Sequence, residues 1–228
     1  MNSYDFLKYL TVNLSARKLG KEKSTCCATG FYAIIDNKEV LVTARHFTEN
    51  TESTTITITA HYKEYDAVIS LPITACVEWQ CSCEYDITYC EIKPLRKKLK
   101  EITGKDMFFT AIQEKNIVTK DEFNKINILS EILTIGYPGA ISSTHHEFPL
   151  FKKGYISSAT RDFAEDGKGY LDLSAEGGFS GAPVLLNNSE LKLIGVLIEA
   201  VVENDTPKST SLYISADKII EISKENKL

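Results

Sequence analysis

Long apolar runs are missing from the 228 residues: none approaches the roughly 20 that a membrane-spanning helix needs, so no membrane is expected as a partner. Residues 1–23 also lack the continuous apolar stretch of an export signal, because Asp5 and Lys8 interrupt it. Phe6, Leu7, Leu10 and Leu14 recur there at helical spacing, which predicts a short amphipathic helix in an N-terminal extension over 1–24. Without an export signal, the expected location is cytoplasmic. An excess of base is missing too: 26 Lys and Arg stand against 31 Asp and Glu, a net charge of -5. Nucleic acid is therefore not expected as a partner, since binding phosphates requires clustered cations. The six cysteines, Cys26, Cys27, Cys76, Cys81, Cys83 and Cys90, include no C-x2-C pair of the kind common zinc sites use. In a reducing compartment they are expected to stay thiols, with no metal and no other cofactor. Internal repeats and low-complexity segments are absent as well.

What is present is mostly strand-like. A composition 43% hydrophobic and 25% charged is that of an ordinary globular chain, long enough to bury a sizeable core without crosslinks. GFYAII leads through Asp36 and Asn37 into EVLVTARH, the pattern of a hairpin. TTITITAHY alternates with period two and is rich in β-branched residues, as a half-buried strand should be. DAVISL and DITYCEI continue the pattern. After Pro94 the composition turns charged, so 94–128 reads as a connector. Strand-like runs resume with EILTIGY, KKGYISSA, GYLDLSA, APVLL, LKLIGVLIEA and TSLYIS, and Ile219, Ile220 and Ile222 predict a C-terminal helix within 215–228. Short strands parted by turns predict an all-β sandwich or barrel, and the charged connector divides it into halves at 25–93 and 129–214.

The sharpest local signal is EGGFSGAPV, residues 176–184. Gly178 and Gly181 around Ser180 permit a tight turn, which can aim the N–H groups of Gly178 and Ser180 at a developing oxyanion. Taken alone it is equally an ordinary glycine-rich turn. A serine nucleophile needs a base, and the histidines are His46, His61, His145 and His146. His46 closes the apolar run VLVTARH, at a strand end where a scaffold can hold it beside a cleft. His61 lies in an alternating strand and reads as a surface residue, and His145 and His146 as solvated loop residues. The base needs an acid to set its tautomer, and Asp86, heading the strand ITYCEI, is the candidate. Chain order His, Asp, Ser is that of the chymotrypsin-like barrels and not of subtilisins or α/β-hydrolases.

These segments resemble, in order, those of the trypsin-like serine peptidases, and in particular the protease domain of bacterial HtrA (Deg) enzymes. TGF (Thr29–Phe31) is similar to the opening of the first barrel strand, LVTARHF to the segment ending in the catalytic histidine, and DITYCEI to the strand headed by the catalytic aspartate. ILTIGYPG and KKGYIS are similar to strands of the second barrel, FSGAPV to the nucleophile loop, and LIGVLIEA to the strand lining the specificity pocket. The resemblance spans roughly residues 25–220. It implies two six-stranded antiparallel β-barrels with short N- and C-terminal helices; the PDZ module of many HtrA proteins is not expected, since no residues remain for it after the predicted C-terminal helix. Two departures stand out: Phe179 replaces the usual Asp or Asn before the serine, and Ala182 replaces a glycine after it. Both positions help hold the oxyanion loop.

The activity so implied is serine endopeptidase action on a protein or peptide substrate through an acyl-enzyme. His46, Asp86 and Ser180 would be the triad, and the N–H groups of Gly178 and Ser180 the oxyanion hole. The primary pocket would be built from Ser174, Ala175, Ile198, Glu199 and Ala200. A neutral Ser174 predicts preference for small or apolar side chains, and a pocket-facing Glu199 would instead attract a basic one. Two other readings stay open: a peptidase-like barrel that binds a peptide or a regulatory protein partner without cleaving, and a redox- or metal-responsive regulator that uses the cysteines.

Overall fold

The computed structural model describes residues 5–18, 25–49, 54–62, 67–74, 76–139, 149–158, 167–188, 190–203 and 206–225. His145 and His146 lie outside the described residues.

A 3-10 turn at Asp5–Tyr9 is followed directly by strand β1, Thr11–Lys18. The predicted N-terminal amphipathic helix is thus reduced to that turn. Val12, Leu14 and Ala16 alternate along β1, and all three are buried. Leu14 pairs with Ala28 on one side and Ile58 on the other. Full burial of a leucine contributes about 1.5–3 kcal/mol, far more than the few tenths by which helix propensities of such residues differ. Period two therefore prevails over the coincidental helical spacing of Leu10 and Leu14.

β2 (Thr25–Ile35) and β3 (Lys38–Ala44) form the predicted hairpin. Its turn residues Asp36 and Asn37 both have positive φ (51° and 62°), the two-residue geometry whose twist matches paired strands and which Asp and Asn tolerate. With β4 (Thr54–Tyr62), β5 (Ala67–Pro72), β6 (Gln80–Cys81), β7 (Ile87–Glu91) and the short β8 (Ile112–Gln113), they make an eight-stranded sheet. Its order is β5-β4-β1-β2-β3-β7-β6, with β8 parallel to β2. This corrects the expectation of a six-stranded barrel here: β1 enlarges the sheet, and among the described residues β5 and β6 do not pair to close it.

The second half does close. β9 (Glu131–Gly136), β10 (Leu150–Ile156), β11 (Lys168–Asp172), β12 (Pro183–Leu186), β13 (Leu193–Glu203) and β14 (Thr206–Ser215) form a barrel in the order β10-β11-β14-β13-β12-β9. Four α-helices complete the described fold: α1 (Arg45–Thr48), α2 (Lys93–Thr103), α3 (Lys120–Phe123) and α4 (Asp217–Glu225). The charged stretch after residue 92 is helical because Leu95 and Leu99, one turn apart, bury against the first sheet while its lysines stay solvated. Pro94 lies in its first turn, and Gly104 (φ 70°) ends it. On α4, Ile219 and Ile222 are buried as their spacing predicts.

One apolar cluster fills the first sheet, with Leu14, Leu41, Ile56 and Ile58 at its centre. The other runs from the barrel interior (Ile132, Val184, Tyr213) to Phe31, Val42, Ala44 and Ile87 of the first sheet. A continuous core thus sets the two halves against each other, with the ends of β3 and β7 facing the β12–β13 side of the barrel.

Candidate active site

Three sequence-distant segments meet at the seam. β3 ends at Ala44 and passes straight into the single turn of α1, which carries His46. Asp86 immediately precedes β7, whose pairing with β3 sets Ala44 opposite Ile87. The Arg45 N–H donates to the Asp86 carbonyl (3.2 Å), and Arg45 Nη1 donates to the Ser82 carbonyl (2.7 Å), which pins the loop before the aspartate. Asp86 answers with both carboxylate oxygens: Oδ1 accepts from the His46 backbone N–H (2.7 Å) and Oδ2 lies 2.7 Å from His46 Nδ1. The hydrogen bond to Asp86 raises the pKa of His46 above its ordinary 6.5, and the negative charges of Asp86, Glu199 and Glu49 add to this against the effect of partial burial. With Nδ1 engaged, Nε2 is the ring nitrogen left to exchange a proton.

Ser180 comes from the loop before β12. Glycine is required on both sides of it: Gly178 has φ 102° and Gly181 has φ 87°, both in the left-handed region. A Cβ on Gly178 would lie 2.3 Å from the Tyr137 carbonyl oxygen, and one on Gly181 2.1 Å from that of Thr29. The loop is strapped from both halves. Thr29, on β2, donates from Oγ1 to the Gly178 carbonyl (2.7 Å) and from N–H to the Ser180 carbonyl (2.8 Å). Its Oγ1 also accepts from the Tyr137 N–H (2.9 Å). The Gly139 N–H donates to the Gly177 carbonyl (2.6 Å), and the Gly181 N–H to that of Leu197 (2.7 Å). The carbonyls are thus consumed, whereas the N–H groups of Gly178 and Ser180 donate to no other group among the described residues. Ala182, fully buried, donates to the Phe179 carbonyl (2.9 Å) and accepts from the Leu197 N–H (2.9 Å), so the methyl group at this position fits the turn.

The three side chains open onto one cleft of about 510 Å³, whose walls include Ala175, Ile198, Glu199 and Ala200. Ser174 does not line it; it is exposed, and its carbonyl accepts from Lys152. A break in the β13–β14 register between Leu197 and Glu199 places a bulge at Ile198, whose carbonyl faces Ser180, and Glu199 beside it lines the cleft. The Ser180 hydroxyl donates to the Ile198 carbonyl (2.9 Å) rather than to His46. His61 corrects the surface expectation: it is buried, edge-on to Tyr9 with ring centroids 5.2 Å apart, and away from the cleft. All six cysteines are described and none is in a disulfide; Cys90 is buried, and burial pushes its thiol pKa far up.

Thr29, Arg45 and Lys152 are the contributors that sequence reasoning did not assign. Thr29 stood in the TGF segment, but its two bonds to the serine loop span about 150 residues, and no local pattern signals them.

No family model matches this sequence, and no curated protein matches it. Solved structures do. Two structures of the HtrA-type protease AlgW with tripeptide align with TM-scores of 0.64 and 0.62, each at 14% identity over 98% and 97% of this chain. The serine endoprotease from Yersinia pestis aligns with a TM-score of 0.59 at 16% identity over 96% of this chain. The chain spans 61–62% of the length of these proteins. The likeness establishes the fold: this is the trypsin-like architecture of HtrA-type protease domains, with its first sheet open among the described residues.

Proposed function

We propose that the protein is a serine endopeptidase acting through an acyl-enzyme, with His46, Asp86 and Ser180 as its triad. The observation that carries this is the 2.7 Å contact between His46 Nδ1 and Asp86 Oδ2 on a cleft that also holds Ser180. In this reading Asp86 fixes the tautomer of His46, and Nε2 takes the Ser180 proton as Oγ attacks the scissile carbonyl. The carbonyl oxygen, now negative, is received by the N–H groups of Gly178 and Ser180, which have no other acceptor among the described residues. Protonated His46 then donates to the leaving amine, and water attacking the acyl-enzyme regenerates Ser180. The scheme needs no metal and no organic cofactor. Rotation of the Ser180 hydroxyl from the Ile198 carbonyl toward Nε2 starts the cycle, and an incoming substrate backbone would compete for that same carbonyl.

A second reading rests on that hydroxyl. With Oγ turned to Ile198, the site is at rest, and a regulatory partner would be required to turn it. The expected location for either form is cytoplasmic, with a peptide or protein as substrate.

A peptide library tests both readings. Cleavage after small or apolar residues, lost in Ser180→Ala, is the expected result, since Ala175, Ile198 and Ala200 offer no charge. Preference for basic residues that disappears in Glu199→Gln would assign selectivity to Glu199 instead. Cleavage that survives Ser180→Ala would refute the assignment of the nucleophile. Cleavage seen only after adding a cell extract would favour the latent form.

A further inference from the structure

Phe179 is fully buried beneath the serine loop and offers no charge with which to anchor it. The anchor comes from β10. Lys152 and Lys153 are adjacent on that strand and so point to opposite faces. Lys153 reaches outward to Glu131 (3.0 Å) with 65% of its side chain exposed. Lys152 turns inward with 21% exposed. Its amine donates to the Ser174 carbonyl (2.9 Å) and to Glu176 Oε1 (2.7 Å), and it sits 5.0 Å from the centre of the Phe179 ring. Three consecutive parts of the loop, the strand exit at 174, the shoulder at 176 and the buried ring at 179, are therefore gathered by one cation.

We infer that Lys152 is a positioning residue for the nucleophile loop, holding 174–179 in the conformation that presents the Gly178 and Ser180 N–H groups. The amine is well suited to this. Charge-assisted hydrogen bonds are about twice as strong as neutral ones, and a cation over an aromatic face adds attraction when partly shielded from water. Other ties act within the same span: Ala175 N–H donates to Ser211 Oγ (3.3 Å), Gly139 N–H to the Gly177 carbonyl (2.6 Å), Phe179 N–H to the Glu176 carbonyl (3.1 Å), and Thr29 holds the carbonyls of Gly178 and Ser180. Lys152 adds to these a single cation that touches 174, 176 and the Phe179 ring together. The pairing also sets a cation beside Glu176 on the cleft wall, which Glu199 and Asp86 line as well. The structural part of this inference stands apart from the peptidase reading; only its consequence for catalysis rests on it.

Hydrogen exchange followed by mass spectrometry on the full chain reads the latch without any chemistry. In Lys152→Met, peptides covering 174–182 should exchange about tenfold to a hundredfold faster, the loss expected for hydrogen bonds to a charged group, while those of β9 and β13 keep their protection. Lys152→Arg, which retains cation and donors, should restore protection. In parallel, fluorophosphonate labelling of Ser180 should slow by a similar factor in Lys152→Met and recover in Lys152→Arg. Exchange in Lys152→Met equal to wild type, or failure of arginine to restore it, would overturn the inference. If Lys152→Met does not fold, Glu176→Ala decides: it removes the carboxylate that accepts from Lys152 and should give partial acceleration, and none would overturn the proposal. A wild-type chain that does not label at all counts against the peptidase reading alone, because the exchange result still judges the latch.

Discussion

His46 Nδ1 lies 2.7 Å from Asp86 Oδ2, and this bond favours the protonated ring, so the histidine pKa is raised above 6.5. Two consequences of opposite sign follow. The contribution of the pair to folding is fully present below the unfolded-state value and is lost as pH rises through the higher folded value. Reactivity needs the neutral ring, and therefore rises over that same interval. The acid limb of kcat/KM against pH should sit above 6.5 in the wild type. In Asp86→Asn it should move back toward 6.5, with turnover falling about 10⁴-fold because the ring loses its tautomer and its counter-charge. A pH profile left in place by Asp86→Asn would show that the carboxylate does not act on His46. Among single residues, the three side chains that share the cleft, His46, Asp86 and Ser180, are those the sequence singles out. Each sits in a short segment whose own chemistry marks it: a histidine ending an apolar strand, an aspartate heading one, a serine between glycines. Lys152 is not among them, since nothing in KKGYIS says which of two adjacent lysines turns inward.

At the scale of elements, α4 is more than a terminal cap. Ser223 Oγ donates to Asp36 Oδ2 (2.6 Å) in the turn between β2 and β3, and the helix packs against β6 and β7. Lys218, with only 4% of its side chain exposed, donates to both Glu221 oxygens (2.9 and 3.0 Å). Its amine stands 4.9 Å from the centre of the Tyr85 ring, one residue from Asp86. The helix that follows the second barrel thereby reaches the loop that presents Asp86. Replacing Lys218 with Met should cost about 1.5–3 kcal/mol, the worth of hydrogen bonds to a charged group. Turnover measured well below the melting transition should also fall, as the Asp86 loop loosens. Denaturant titration and kcat on the same preparation check this, and full turnover in a destabilised variant would confine α4 to a structural role. The isoleucine spacing announced this helix, but its reach to Asp36 and Tyr85 is a tertiary fact. β1 went unread for the converse reason: its apolar residues satisfy two periods at once, and only pairing with β2 and β4 on both sides decides between them.

For the molecule as a whole, the order of segments was legible because each half is built from contiguous strands, and the hairpin of β2 and β3 announces itself through Asp36 and Asn37. Closure was not. A barrel forms where the first and last strands of a sheet find each other, as β9 and β10 do around the second core, whereas β5 and β6 stay apart at the edges of the first sheet among the described residues. The candidate site lies at the seam because segments of both halves end there. β3 and β7 deliver His46 and Asp86, the β12–β13 side delivers Ser180, and Thr29 and Thr43 of the first sheet carry hydrogen bonds across or beside the join. The central claim is that this seam activates one hydroxyl in the whole chain. A fluorophosphonate probe with intact-mass analysis and peptide mapping tests it most directly. The account predicts a single adduct on Ser180, absent in Ser180→Ala and reduced to background in His46→Ala. Labelling on another residue, or undiminished labelling of Ser180 in His46→Ala, would contradict it.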